Sequence, residues 1–314
     1  MKFIKPKFWD KKEPSLISYL LIPFTILIKI NNLIIEKNKK FKPKNIKSIC
    51  VGNIYIGGTG KTPLTIKLHN IIKRIKKKTI VAKKFYSTHK DELELLKKYT
   101  KVLSGKNRIQ LIKYAIKKKF KIVIFDDGLQ DKKIDYDLKF VCFDSEAWVG
   151  NGKLLPSGPL RQELKVLKNF DAVFLKNIKK INIKAIRVIR SINPKIKVFN
   201  FNLIIKNKNK YDLSKKYLVV SGIGNSDSFI NLLKYNKFKI SNHIRFPDHH
   251  AYRGAEIKKI VNLAKLQKTK VLTTEKDYIK IPKEYLFYFK CLKVDLHIND
   301  HKKFVNFLKK KINE

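Results

Sequence analysis

A glycine-rich loop between an apolar segment and a helical segment is the feature that most constrains this chain. Residues 46–51, Ile-Lys-Ser-Ile-Cys-Val, predict a short buried strand, and residues 64–75 have helical periodicity. Between them, residues 57–63 read Gly-Gly-Thr-Gly-Lys-Thr-Pro. In a strand–loop–helix of this kind, backbone amides and the helix N-terminus surround phosphate oxygens. The order of the three segments therefore predicts a P-loop.

The positions of this loop have separate expected roles. Lys61 is expected to reach the β- and γ-phosphates, and the Thr62 hydroxyl to ligate Mg²⁺. Tyr55 occupies the position of the usual first glycine, so the glycines at 57 and 58 supply the flexibility of the loop. The expected nucleotide-binding residues are Tyr55, Ile56, Gly57, Gly58, Thr59, Gly60, Lys61 and Thr62.

Paired carboxylates follow a second apolar run. Residues 121–125, Lys-Ile-Val-Ile-Phe, precede Asp126 and Asp127. Acidic side chains at the carboxyl end of a buried strand hold Mg²⁺ beside a P-loop. We therefore expect Asp126 and Asp127, with Thr62, on the metal side of the site.

Phosphoryl transfer to an alcohol also requires a group that accepts the hydroxyl proton. The sequence leaves five candidates open: Asp91, Glu92, Asp248, His249 and His250. Asp91 and Glu92 open a helical run, where acidic residues also have a plain structural role. The Asp-His-His run lies in a proline-containing loop without apolar periodicity, which is typical of a site more than of a core.

The net charge of +47, from 72 Lys and Arg against 25 Asp and Glu, raises nucleic acid as an alternative partner. Lysine, isoleucine and asparagine are enriched together along the whole chain, and the aromatic residues form no base-stacking pattern. Nucleic-acid binding is therefore not expected. A P-loop GTPase or transport ATPase is the other alternative.

The three cysteines form no CxxC motif, so we expect a reducing compartment and neither a zinc site nor a disulfide framework.

The most apolar stretch covers residues 16–35, with lysines on both sides. Pro23, Lys29, Asn31 and Asn32 interrupt it, which makes a full membrane span doubtful. On a helical wheel, a narrow polar stripe contains Ser18, Thr25, Lys29, Asn32 and Glu36. We expect a helix lying in a membrane interface, with a transmembrane anchor and a buried core helix as alternatives.

Six motifs follow one another along the chain, at residues 51–63, 126–130, 150–161, 222–225, 246–250 and 273–277. Together and in this order they resemble one known family, the tetraacyldisaccharide 4'-kinases of lipid A biosynthesis. The resemblance implies ATP and Mg²⁺ as cofactors and a tetraacylated glucosamine disaccharide 1-phosphate as the acceptor, phosphorylated on its 4'-hydroxyl to give lipid IVA. It also implies peripheral attachment to the cytoplasmic face of the bacterial inner membrane, and it leaves the oligomeric state open.

The resemblance assigns roles to individual residues. It makes Asp91 the group that takes the hydroxyl proton, supported by His249, with Lys61 as the third catalytic residue. The substrate-side residues that it implies are Glu92, Arg108, Asn151 and Arg161. The chain departs from the family at three places. Residues 82–87 replace the Ser-Arg-Gly-Tyr-Gly-Gly motif of the family, so that Lys83 or Lys84 supplies only a point charge in place of the arginine. Asp131 stands where the family has a histidine. Gln162 separates the arginine and the glutamate that are adjacent in the family.

Alternating strand-like and helical runs predict an α/β fold: a P-loop NTPase-like parallel sheet domain plus a smaller α/β domain, with an N-terminal amphipathic helix. Further strands are expected at 79–82, 140–143, 172–175, 198–205, 217–220 and 270–273. The expected domains are a membrane-interfacial helix at 1–40, a nucleotide-binding kinase domain at 41–205 and a smaller domain at 206–314. The polar segment 206–216 is the expected linker. His249 would then belong to the second domain, with the active site in the cleft between the two.

Overall fold

The computed structural model describes residues 5–37, 40–178 and 180–314. These residues form two compact units. The larger unit contains Lys5–Phe85, Tyr99–Asn202 and His297–Glu314, and the smaller contains Tyr86–Lys98 and Leu203–Leu296. The units are therefore not divided at a single position. The short segment after residue 85 belongs with the smaller unit, and the C-terminal segment belongs with the larger.

The larger unit is built on an eight-stranded sheet. Its strands are β1 (Lys47–Gly52), β2 (Thr79–Lys84), β3 (Val102–Gly105), β4 (Ile122–Asp126), β5 (Leu138–Asp144), β6 (Ala172–Lys176), β7 (Lys197–Ile205, of which residues 203–205 belong to the smaller unit) and β12 (Val294–Ile298, of which residues 294–296 belong to the smaller unit). Their order is β12-β7-β6-β5-β1-β4-β2-β3. Every neighbouring pair from β7 to β3 is parallel. Because the strands are parallel, the carboxyl ends of β1, β4 and β2 meet at one edge of the sheet.

The sheet is covered by helices, as parallel sheets require. The helices that cover it are α3 (Lys61–Arg74), α5 (Arg108–Lys117), α6 (Ile183–Ile192) and α10 (His301–Asn313), and the unit also contains α1 (Leu16–Leu20) and α2 (Ile22–Lys37). The central strands are largely apolar and buried, and Cys50 and Cys142 are fully buried among them as free thiols. Burial raises the pKa of both thiols, so that they act as small hydrophobic residues of the core.

Aromatic packing explains why the C-terminal helix α10 belongs to the larger unit. The Phe304 ring lies 5.4 Å from Phe174 and 5.0 Å from Phe199, centroid to centroid. Phe307 lies 5.6 Å from Phe199. The sequence prediction assigned this helix to the C-terminal domain because its partners are more than 100 residues away along the chain.

The smaller unit has a four-stranded parallel sheet. It contains β8 (Lys216–Ser221), β9 (Lys239–Arg245), β10 (Lys270–Thr274) and β11 (Phe289–Leu292), in the order β11-β10-β8-β9. Its helices are α4 (Lys90–Tyr99, of which Tyr99 belongs to the larger unit), α7 (Ser226–Tyr235), α8 (Gly254–Leu266) and the single turn α9 (Glu275–Tyr278). The α/β fold class with a second, smaller parallel sheet is therefore as predicted.

The prediction that residues 206–216 form a linker is wrong. Tyr211 is buried in the core of the smaller unit, and its hydroxyl donates to the Cys291 carbonyl at 2.5 Å. The many lysines and asparagines around it concealed this one anchoring aromatic residue.

The N-terminal apolar stretch forms α1 and α2, with a break at Leu21, two residues before Pro23. Two residues of the polar stripe face the protein: Ser18 and Thr25 are buried, and Ser18 accepts a hydrogen bond from Asn151 at 2.9 Å, whereas Lys29 is exposed. The apolar side is exposed, with 76% exposure at Leu16, 68% at Leu20 and 67% at Leu27. A buried core helix is therefore excluded.

No helix among residues 5–37, 40–178 and 180–314 is long and apolar enough to cross a membrane. Two of the lysines that flank the apolar stretch, Lys2 and Lys39, lie outside the described residues.

Candidate active site

The predicted P-loop connects β1 to α3. Gly57 and Gly60 have φ values of 134° and 89°, which favour glycine. A Cβ on Gly60 would also lie 2.8 Å from the Phe201 ring. The Asn53 side chain shapes the loop, because its amide donates to the Tyr55 carbonyl at 2.6 Å and the Gly57 carbonyl at 3.2 Å. The loop thus has a defined shape that depends on its glycines.

Asp126 is the centre of a buried polar cluster beside this loop. It ends β4, and its Oδ1 accepts from the Thr65 hydroxyl at 3.0 Å. Its Oδ2 accepts from Thr62 at 3.3 Å and from Lys83 at 2.7 Å. The strands cause this arrangement, since Lys83 of β2 pairs with Asp126 in the register of the sheet. The structure thus brings Thr62 and Asp126 together, as predicted, and adds Lys83 and Thr65.

Asp127 faces two cations. Its Oδ1 lies 3.6 Å from Lys61 Nζ and 3.7 Å from the Arg161 guanidinium. Arg108 is buried and donates to the Asp127 carbonyl at 2.7 Å and to the Asp131 carboxylate at 2.9 Å. Asp131, which departs from the family pattern, therefore provides the partner that fixes Arg108 beneath the Asp127 turn.

Two predicted site residues are tied to the N-terminal segment. The Tyr55 hydroxyl donates to Asp10 at 2.5 Å and accepts from Lys5 at 3.0 Å. Asn151 donates to Ser18 of α1 and to the Ser157 carbonyl.

Glu163, the acidic residue of the interrupted Arg-Glu pair, does not join the Asp126 cluster. Its carboxylate pairs with Lys29 at 3.0 Å and Lys165 at 2.7 Å.

The smaller unit contains the second cluster. Asp91 is buried at the start of α4, and its Oδ1 lies 2.8 Å from His249 Nδ1. The backbone amide of Glu92 donates to the same oxygen at 2.9 Å. The sequence placed Asp91 and His249 in different domains; both lie in the smaller unit. Ion pairs hold α4 there, since Lys276 lies 3.0 Å from Glu92 and Lys98 lies 2.9 Å from Glu275.

Lysines surround the other side of Asp91. Lys280 Nζ lies 3.7 Å and Lys276 Nζ 4.0 Å from Asp91 Oδ2. Burial alone raises the pKa of the Asp91 carboxyl. The hydrogen bond from His249 and the charges of Lys276 and Lys280 outweigh burial, so that the pKa lies below its ordinary value. Asp91 is therefore an ionised carboxylate with a fixed orientation.

Ligand atoms of His89, Glu92 and His249 lie within 4.8 Å of one another, a spacing that could hold a metal ion. Two contacts oppose this use. The rings of His89 and His249 are stacked 4.0 Å apart at an interplanar angle of 18°, and His249 Nδ1 already lies 2.8 Å from Asp91 Oδ1. Glu92 already accepts from Lys276. The cluster as it stands is organised by hydrogen bonds and ion pairs.

Sequence reasoning missed several members of the two clusters. They are Asn53, Thr65, His89, Lys276 and Lys280. The motif at 273–277 was recognised without a role for its lysine, and Thr65 lies one helical turn after Lys61, a spacing that could have indicated it.

A parallel sheet with this loop, an aspartate at the end of the adjacent strand and a separate Asp-His pair define a P-loop kinase. The family model for tetraacyldisaccharide-1-P 4'-kinase matches residues 17–313. The chain belongs to the tetraacyldisaccharide 4'-kinase family, an enzyme family of lipid A biosynthesis, as the six motifs predicted.

Relatives and a solved structure agree with this assignment. The tetraacyldisaccharide 4'-kinase of Pelagibacter ubique is 44% identical over 311 residues, covering 98% of both chains. That of Rickettsia akari is 31% identical over 318 residues, covering 96% of this chain and 95% of the relative. The crystal structure of LpxK from Aquifex aeolicus in complex with ATP has a TM-score of 0.68 at 22% identity, covering 95% of this chain and all of that one. Because the identity to the Aquifex aeolicus protein is only 22%, this structural comparison supports the fold of the chain alone.

Proposed function

We propose that this chain transfers the γ-phosphate of ATP to the 4'-hydroxyl of tetraacyldisaccharide 1-phosphate, giving lipid IVA. The observation that carries the proposal is the 2.8 Å contact between His249 Nδ1 and Asp91 Oδ1 in a member of this family. A GTPase or transport ATPase activates water and does not need a buried carboxylate of this kind for an alcohol. A nucleic-acid-binding protein needs neither cluster.

The larger unit supplies the nucleotide side of the reaction. Amides of residues 57–62 and the Lys61 ammonium would hold the phosphates and neutralise charge that develops toward the leaving group. The Thr59 hydroxyl supports this role, because it is 1% exposed and has no hydrogen-bond partner among the described residues. A buried donor in this position is suited to a phosphate oxygen. ATP as the nucleotide follows the relative that was solved with ATP.

The residues of this cluster fit Mg²⁺. Thr62 Oγ1 and the carboxylates of Asp126 and Asp127 are the hard oxygen ligands that Mg²⁺ prefers. These residues would hold Mg²⁺ at the nucleotide, where its positive charge would help to neutralise the phosphates. The hydrogen bonds from Lys83 and Thr65 would keep the Asp126 carboxylate oriented for that role.

The smaller unit supplies the base. Asp91, held by His249 and the Glu92 amide, would accept the proton of the 4'-hydroxyl. As the proton leaves, the 4'-oxygen forms a bond to the γ-phosphorus, the bond from that phosphorus to the β,γ-bridging oxygen breaks, and ADP departs. Glu92, Arg108, Asn151 and Arg161 remain our proposed substrate-side residues.

The exposed apolar side of α1 and α2 supports a membrane-surface location. Its leucines would enter the acyl region of the cytoplasmic face of the inner membrane, while nearby lysines meet anionic headgroups. An acceptor that carries four acyl chains would then reach the enzyme without leaving the lipid.

The direct test is incubation of the full chain with γ-labelled ATP and the disaccharide lipid in detergent, followed by location of the new phosphate by NMR. A phosphate monoester on the 4'-oxygen is the expected product, and Lys61→Ala should abolish it. Label released only as inorganic phosphate, or found at another position, would refute the proposal. Addition of unlabelled GTP should compete poorly with ATP.

A further inference from the structure

The motif at residues 273–277 forms a turn, held by hydrogen bonds, that positions Lys276 and Lys280. This turn is called the platform below. Thr274 caps α9 through a hydrogen bond from the Asp277 amide at 3.2 Å. The fully buried Asp277 carboxylate accepts from the Gly222 amide at 3.0 Å and the Thr274 hydroxyl at 2.8 Å. Lys276 and Lys280 are four residues apart, so this platform presents them on the same side.

Both lysines reach the same oxygen of Asp91. Its Oδ1 is occupied by the His249 ring and the Glu92 amide. Its Oδ2 has no hydrogen-bond donor among the described residues and lies 3.7–4.0 Å from the two ammonium groups. At these distances the two ammonium groups attract the Asp91 carboxylate electrostatically without donating a hydrogen bond to Oδ2. Oδ2 is therefore left available to accept a proton.

We propose that Lys276 and Lys280 are positioning residues for phosphoryl transfer, which keep Asp91 ionised and reserve its Oδ2 for the proton of the acceptor alcohol. This role rests on the proposed function, because it assigns the base for that reaction. The lysines act through Asp91 and carry no proton in the reaction themselves. The acidic partners of Lys276 keep it charged, since it also lies 3.0 Å from Glu92 and 3.5 Å from Asp248.

The sign of the effect follows from all the groups around Asp91. The charged or titratable groups in this cluster are His89, Glu92, Asp248, His249, Tyr252, Lys276, Asp277 and Lys280. Among the residues that the structure describes, Lys276 and Lys280 are the permanent cations of this cluster. Loss of either positive charge leaves the carboxylates dominant and raises the pKa of Asp91.

The test compares Lys280→Met with Lys280→Arg, which retains the charge, and with Lys283→Met, an exposed lysine nearby. The first readout is the titration of the Asp91 side-chain carbon by ¹³C NMR, assigned with Asp91→Asn. The second is the pH dependence of kcat/KM. In Lys280→Met the Asp91 titration should move to higher pH. Its kcat/KM at pH 5.5, relative to pH 8, should fall about threefold or more below the wild-type ratio.

In Lys280→Arg, the Asp91 titration and the pH dependence of kcat/KM should both lie close to those of the wild type. Lys283→Met should match the wild type in both measurements. Lys276→Met should act in the same direction, with circular dichroism checking that it folds. An unchanged Asp91 titration in folded Lys280→Met, or an equal change in Lys283→Met, would overturn the positioning role. A shifted titration in a chain that phosphorylates no glycolipid would instead refute the proposed function and leave the electrostatic role intact.

Discussion

Lys83 Nζ and Asp126 Oδ2 form an ion pair of 2.7 Å in which the lysine side chain is 4% exposed and the carboxylate 0%. The sheet enforces this pair, because Lys83 of β2 and Asp126 of β4 are opposite each other in register. The family has an arginine-containing motif after this strand, and the sequence left open whether Lys83 or Lys84 replaces its charge. The structure places Lys83 at the Asp126 carboxylate.

Removal of the Lys83 ammonium should destabilise the fold. In Lys83→Met, Asp126 remains buried without its cation, and uncompensated charges of this kind cost about 3–5 kcal/mol. We expect a loss of this size in the free energy of unfolding, measured by urea titration. Lys84→Met, on the same strand but partly exposed, is the matched control and should change it by less than about 1 kcal/mol. A Lys83→Met chain as stable as the control would show that the pair is not needed.

The elements that the sequence predicted well are those with strong local patterns. The β1–loop–α3 unit and the apolar strands β4, β5, β6 and β8 were all recognisable from uninterrupted apolar runs and glycine spacing. Strands β3, β9, β11 and β12 were not predicted, because they are edge strands with partly exposed residues and no uninterrupted apolar run. Short edge strands of this kind are defined by their neighbours in the sheet.

The candidate site was predictable where a motif contains the chemistry, and not where the fold assembles it. Asp126 and Thr62 came from separate motifs, and the structure brings them within 3.3 Å. The partnership of Lys83 with Asp126 depends on strand register, which a single sequence does not reveal. Lys280 is three residues beyond the recognised motif, and only the turn of α9 directs it to Asp91.

Gly60 should tolerate no side chain. A Cβ would lie 2.8 Å from Phe201, and the φ of 89° is unfavourable for any other residue. We expect Gly60→Ala to weaken ATP binding at least about tenfold, because the loop amides would be displaced. Isothermal titration calorimetry with ATP measures this. Gly254→Ala is the control, since nothing lies within 4 Å of its Cβ position. Equal ATP affinity in the two variants would contradict the assigned loop geometry.

Asp91 should matter for turnover and not for nucleotide binding. We expect Asp91→Asn to lower kcat at least about 100-fold, since an amide cannot accept the hydroxyl proton. Affinity for ATP should change less than about threefold, because the nucleotide residues lie on the P-loop. Asp212→Asn, an exposed aspartate of the same unit, is the control. Initial rates with the glycolipid and calorimetry with ATP test both parts, and near-normal turnover would remove Asp91 from the role of base.

The exposed side of α1 and α2 should determine membrane binding. Leu20 and Leu27 are 68% and 67% exposed, and transfer of a leucine side chain out of water contributes about 1.5–3 kcal/mol. We therefore expect Leu20→Glu/Leu27→Glu to lower partitioning onto phosphatidylglycerol-containing vesicles at least about tenfold in a flotation assay. Leu266→Glu is a stringent control, because Leu266 is 82% exposed but lies on α8 of the smaller unit. If all three proteins float alike, lysine charge alone accounts for binding, and the apolar side of these helices needs a different explanation. If only the double variant stays in solution, the location of the leucines decides the effect, since the control also replaces a highly exposed leucine with glutamate.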